Sequence, residues 1–120
     1  QSLHQLGGYR VQGRTDGDAI VEAALALEKA GAFAIVLELV PADLASRISK
    51  ALTVPTIGIG AGTDCDAQVL VWTDMAGLTA NPPKLAKAYR NLRQELMGAA
   101  QEFAEEVRSG KFPTESQTFH

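Results

Sequence analysis

Residues 33–41 read FAIVLELVP, a run of five apolar residues that ends on Glu38 before another apolar pair and Pro41. A continuous apolar run this short, bounded by turn-forming residues, predicts a strand over 32–38 that is buried on both faces, as in parallel sheets. What flanks it supports that reading. Ile20, Ala24 and Leu27, with Val21 and Leu25, recur at helical spacing. They predict a helix from about Asp18 to Ala30, with Asp16 or Asp18 to cap it and Gly31 to stop it. Pro41 then opens a second helix, in which Leu44, Ile48 and Leu52 stand at successive i,i+4 positions.

A second strand, PTIGIG, follows ALTV directly, and a third candidate, AQVLVW, starts at Ala67. The order helix, strand, helix, strand, loop, strand predicts a parallel α/β sheet. After Asn81, which can cap, residues 82–110 read as one long helix. Leu85, Tyr89, Leu92, Leu96, Ala99, Phe103 and Val107 form its stripe. A break near Arg93 or Gly98 is expected, Gly110 ends the helix, and KFPTESQTFH follows as an extended tail.

With 120 residues the chain suits one ordinary domain. Three parallel strands with helices on one side leave the other face and both edges bare. A complete (β/α)8 barrel takes about 250 residues. The chain therefore reads as a single partial barrel over 1–120. Its net charge of −3, with no basic cluster beyond RVQGR, argues against a nucleic-acid partner. The apolar runs are too short to span a bilayer, and no signal-peptide pattern opens the chain. Cys65 is the sole cysteine, which excludes an internal disulfide and a multi-thiolate metal site and suits a reducing cytoplasm.

Glu38 stands at the carboxyl end of the first strand, the end where parallel α/β folds bind their ligands. A carboxylate at the end of so apolar a run suits a general base, partly desolvated, raised in pKa and held by a rigid strand. The alternative is a carboxylate that merely ends the strand, bonded to backbone N–H groups or paired with an arginine. Gly58, Gly60 and Gly62 in IGIGAGTDCD allow either close backbone approach to a ligand or a tight turn. Their spacing is not that of a dinucleotide fingerprint, because position 63 is Thr. Asp64 and Asp66 can converge on a hard cation, though such pairs more often cap turns. Cys65 lies between those two acids, which disfavours a thiolate. Arg10 and Arg14 can hold an anion or stay solvated. His4 reads as surface, His120 as terminal, and Trp72 with the apolar stripe of the last helix as core or subunit contact.

LGGYRVQGR, GAFAIVLELVP, PTIGIGAGTDCDAQVLVWTDMAG and SGKFP, in that order, resemble the ketopantoate hydroxymethyltransferase family, over its C-terminal half. The resemblance implies the C-terminal part of a (β/α)8 barrel of the phosphoenolpyruvate/pyruvate type, in a cytoplasmic homo-decamer. It implies transfer of a hydroxymethyl group from 5,10-methylenetetrahydrofolate to 3-methyl-2-oxobutanoate, in pantothenate and coenzyme A biosynthesis. The family's LE-VP glutamate, which takes the C3 proton, matches Glu38. Gly58, Gly60 and Gly62 match the loop that lines the substrate pocket. The Mg²⁺ that chelates the oxo acid would take its ligands from the half not present, so no metal ligand falls here and this chain alone would be inactive. Two segments depart from the family: Gln117 stands at a usual His position, and GLTANPPKLAK replaces a glycine-containing stretch. Two other readings remain, a sister 2-oxo-acid lyase or transferase of the same barrel superfamily and a non-catalytic half-barrel that binds a partner.

Overall fold

Pairing sets where the first strand begins. The Ile35 N–H donates to the Pro55 carbonyl at 3.0 Å, and strand β1 runs from there, Ile35–Glu38. In the computed structural model, which describes residues 16–120, the order is α1 (Gly17–Lys29), β1, α2 (Ala42–Ala51), β2 (Thr56–Ile59) and β3 (Ala67–Gln68). Then come α3 (Trp72–Met75), α4 (Leu92–Arg108) and a 3₁₀ turn at Glu115–Gln117. The described residues divide into two compact units, the first ending at Leu70 and the second beginning at Val71.

In the first unit the sheet has the order β1-β2-β3 and is parallel throughout. Register pairs Ile35 with Thr56 and Glu38 with Ile59 on one side, and Ile57 with Ala67 on the other. One face carries the core: Ile35 and Leu37 from β1, Leu44, Ala45, Ile48 and Leu52 from α2, and Ala24 from α1. The helical spacing of Leu44, Ile48 and Leu52 thus reports a buried stripe, and α1 ends at Lys29, with Ala30 as its cap just before the expected stop at Gly31. Asp16 occupies the N-cap position of α1 without a side-chain bond. Asp18 instead accepts from Arg47 Nη2 at 2.6 Å in an exposed pair, a contact of small worth in water.

The expectation that β1 is buried on both faces does not hold. Val36 is 58% exposed, and Phe33, ahead of the strand, is exposed as well. Helices cover one face of the sheet, and no described layer covers the other. β3 is also shorter than AQVLVW predicts. Val69 N–H still donates to the Gly58 carbonyl, but β2 ends at Ile59 and leaves nothing for Leu70 to pair with. The chain turns into α3 instead.

Two carboxylates tie loops to the regular elements, Glu28 of α1 to the loop before β2 and Asp66 of the loop before β3 to β2. Glu28 Oε1 accepts from Thr53 N at 2.6 Å, Thr53 Oγ1 at 2.7 Å and Val54 N at 2.9 Å. These bonds, the Thr53 hydroxyl foremost, hold its carboxyl below the ordinary value of 4.5. Asp66 Oδ2 accepts from Thr56 N at 2.8 Å and Thr56 Oγ1 at 3.0 Å, and the Thr56 N–H is the larger cause of its lowered pKa. Because Thr56 spends its one hydroxyl proton on Asp66, the 2.7 Å contact with Ser49 Oγ has Ser49 as donor. A depressed folded pKa means that the native state binds fewer protons than the unfolded chain. The stability from both groups is therefore complete above the unperturbed carboxylate range and is lost as pH falls through the folded values. Glu28→Gln and Asp66→Asn are each expected to lower the urea midpoint near neutral pH and to flatten its decline on acidification. Acid profiles parallel to that of the parent chain would refute the assignment.

In the second unit, residues 82–91 are not helical, contrary to the single long helix that the sequence predicts. The end of this stretch and the first residue of α4 are tied elsewhere: Tyr89 N donates to Met75 O at 2.8 Å, and Leu92 N to Ala76 O at 3.0 Å. Gly77 leaves room for the Arg90 carbonyl to cross it, where any side chain would collide. Helix α4 therefore starts after Asn91 rather than Asn81, close to the expected break at Arg93, and Gly110 follows its capping residue, Ser109. The tail is not simply extended. Phe112 folds its ring edge-on to Phe103, 5.3 Å between centroids, and Thr114 and Gln117 form a capping box. No residue of α4 is buried, and Trp72 is 64% exposed. Among the described residues the stripe Leu92, Leu96, Phe103 and Val107 is thus no core: each stays at least 44% exposed, even with Phe112 against Phe103.

Candidate functional site

The uncovered face of the first unit carries Val36 and Glu38 from β1 beside Ile57 and Ile59 from β2, matched pair by pair in register. Glu38 is the last side chain of β1, at the carboxyl edge of the sheet. Its neighbour Ile59 immediately precedes the glycine turn, and Leu39 N–H donates across to the Ile59 carbonyl at 3.0 Å. Glu38 and Gly60 therefore share one rim. The desolvation predicted for Glu38 is absent, because the residue is exposed in this chain. Three apolar neighbours on an open face explain the difference. Such a face is built to be covered, and any drying of Glu38 must come from what covers it.

The three glycines differ in what they do. β2 and β3 run parallel, yet only residues 60–66 connect them, without a crossover helix. So short a parallel connection works because β2 runs only two residues past Ile57, the residue opposite which β3 starts, and the loop has little distance to recover. It must still reverse sharply. Gly60 and Gly62 take φ of 67° and 81°, a region that glycine enters without steric cost. A Cβ on Gly62 would stand 2.6 Å from Ala42 Cβ, so this glycine also lets the loop touch the start of α2. Gly58 points elsewhere. It lies on the helix-covered face with Thr56, and a Cβ there would meet Cys65 Sγ and Gln68 Oε1, each at 3.0 Å. The rim position belongs to Gly60 and Gly62, and Gly58 serves packing behind it.

Of the remaining candidates, Asp66 is spent on Thr56, and Asp64 is exposed. Among the described residues no group of three or more His, Cys, Asp or Glu side chains comes together. The described residues thus bring together no set of oxygen donors for a Mg²⁺ ion. Cys65 is half-buried behind Gly58, and His120 contacts Glu115 at 3.1 Å on the surface. His4, Arg10 and Arg14 lie outside the described residues. One feature escaped the sequence: Leu39, directly after Glu38, has φ of 54°. Leucine carries no composition signal for that conformation.

Comparison with known proteins gives this rim a context. The family model described as ketopantoate hydroxymethyltransferase matches residues 1–115. A 3-methyl-2-oxobutanoate hydroxymethyltransferase from Acidothermus cellulolyticus is 62% identical over 99% of this chain and 45% of its own length. Proteins of the same name from Frankia alni and Acaryochloris marina are 55% and 57% identical, over 99% and 94% of this chain and 40% and 44% of theirs. The chain thus spans less than half the length of these curated relatives. A parallel sheet with one face bare and an acid at its carboxyl rim, matched over nearly its whole length by one enzyme family, leaves little choice: the chain belongs to the ketopantoate hydroxymethyltransferase family.

Proposed function

We propose that this segment supplies the proton-abstracting rim of a (β/α)8 barrel of the phosphoenolpyruvate/pyruvate type. The complete enzyme transfers a hydroxymethyl group from 5,10-methylenetetrahydrofolate to 3-methyl-2-oxobutanoate and yields ketopantoate for pantothenate and coenzyme A synthesis. Glu38 is the base and Gly60 and Gly62 form the adjoining wall. The observation that carries the reading is the bare apolar sheet face with Glu38 at its carboxyl edge, level with the glycine turn. The shared name of the relatives favours this transferase over a sister lyase. A non-catalytic half-barrel has only the short length in its favour.

The chemistry asks for what the rim offers. A C–H next to a ketone becomes acidic enough to lose its proton when a positioned base meets it and the enolate oxygen is stabilised. Glu38 takes the C3 proton, and C3 of the enolate then bonds to the methylene carbon of the folate, whose two C–N bonds break as water supplies the hydroxyl oxygen and tetrahydrofolate leaves with the balancing protons. Stabilisation of the oxyanion, with Mg²⁺ as the family resemblance implies, falls to residues outside this segment. The same resemblance assigns a homo-decamer working in the cytoplasm. Among the described residues no helix is long and apolar enough to cross a membrane.

The test is reconstitution. This chain alone is expected to leave C3 of 3-methyl-2-oxobutanoate unexchanged in D₂O, and joining it to the rest of the barrel to restore Mg²⁺-dependent deuterium uptake seen by NMR. A reconstituted, folded barrel that exchanges nothing would overturn the assignment.

A further inference from the structure

We infer that Leu39 is a positioning residue, whose left-handed backbone fixes the direction of Glu38; the inference rests on the reading of Glu38 as the base. The side chains of β1 alternate, with Ile35 and Leu37 in the core and Val36 and Glu38 on the open face. An extended chain would continue the alternation and place Val40 on the open face beside Glu38. Val40 is instead buried in the core. The reversal happens at Leu39, at φ of 54°, so Glu38 is left as the last side chain on the rim.

The neighbouring strand is an internal control. β1 and β2 are in register, Glu38 opposite Ile59, so the next residues, Leu39 and Gly60, occupy equivalent places, and both are left-handed. β2 uses glycine there, where the conformation carries no steric penalty. β1 uses a bulky leucine, the only non-glycine with positive φ among the described residues. Such strain persists only where the surroundings over-determine it, and it gathers at functional sites. Here the surroundings are visible. The Leu39 N–H is tied to the Ile59 carbonyl at 3.0 Å, its side chain is half-buried, and Val40 and Pro41 lead at once into α2. A glycine would make the same turn but would also allow others. Leucine, once held, allows one, and the carboxylate before it inherits that single direction.

The experiment compares Leu39→Gly, Leu39→Met and Glu38→Gln in the complete enzyme. Readouts are C3 deuterium exchange, amide hydrogen exchange at residue 39 and the thermal midpoint. Expected for Leu39→Gly is a kcat for exchange lowered by about 10- to 100-fold with KM within about twofold, as for a reacting group misplaced by an ångström. Its residue-39 amide should lose protection while its thermal midpoint does not fall, and Leu39→Met should keep the parent rate. A Leu39→Gly enzyme that exchanges at the parent rate, while Glu38→Gln is inactive, overturns the positioning role and leaves the base in place. A slow Leu39→Gly enzyme with a lowered midpoint overturns it too, since the defect would then be one of folding. Parent-rate exchange by Glu38→Gln removes the base itself, and the inference with it.

Discussion

Glu38→Gln in the complete enzyme is expected to slow deuterium exchange at C3 of 3-methyl-2-oxobutanoate by about 10²- to 10⁴-fold, the usual contribution of a positioned base. The amide keeps the shape of the side chain and removes its capacity to hold a proton, so KM should change little. Stability should change little either, because Glu38 is exposed in this chain and no side-chain partner is described for it. That combination separates the two roles the sequence leaves open. A carboxylate that only ends a strand would show the reverse, with stability lost and exchange retained. Glu38→Asp adds a geometric check: one methylene shorter, it keeps the charge and withdraws it from the rim, and its rate should fall between parent and Gln. Equal exchange by parent and Gln enzymes would remove Glu38 from the chemistry.

The second large effect concerns folding. Ile48→Ala should destabilise the first unit by about 2–5 kcal/mol, the range for emptying a buried large aliphatic site. Ile48 is fully buried, at the centre of the α2 face that meets β1 and β2, and the core around it is small. Since whole domains hold only about 5–15 kcal/mol, the loss is a large share of what keeps this unit folded. Leu27→Ala is the paired control. Leu27 belongs to α1 but is 54% exposed, and its truncation should stay within about 0.5 kcal/mol. Urea titrations followed by circular dichroism would report both, with an unchanged slope for each. Equal midpoint shifts for the two variants would mean that the helix-covered face is not the core.

The open face of the sheet sets Glu38 among Val36, Ile57 and Ile59 without covering it. The tie between β2 and the glycine loop is firmer. Asp66 grips Thr56, Gln68 Nε2 donates to the Gly62 carbonyl at 2.9 Å, and Gly62 abuts α2. The wall beside Glu38 is therefore held from three directions, which suits a fixed surface against which a substrate is placed.

Sequence alone determined what depends on local spacing. The i,i+4 repeat of Leu44, Ile48 and Leu52, the stop at Gly31 and the apolar run ending on Glu38 each place a helix or a strand, because a side chain's face follows from helical or strand periodicity. It also put Glu38 and the glycine turn at carboxyl ends of parallel strands, where the structure has them side by side. What depends on distant partners was decided in three dimensions. Residues 82–91 have a helical pattern, but the Tyr89 N–H at their end goes to Met75 of α3, and AQVLVW loses its strand where β2 ends. The left-handed turn at Leu39 and the exposure of Glu38 have no local signature. A backbone group bonds to whichever partner the fold brings near, and a face is dry only when another layer lies on it.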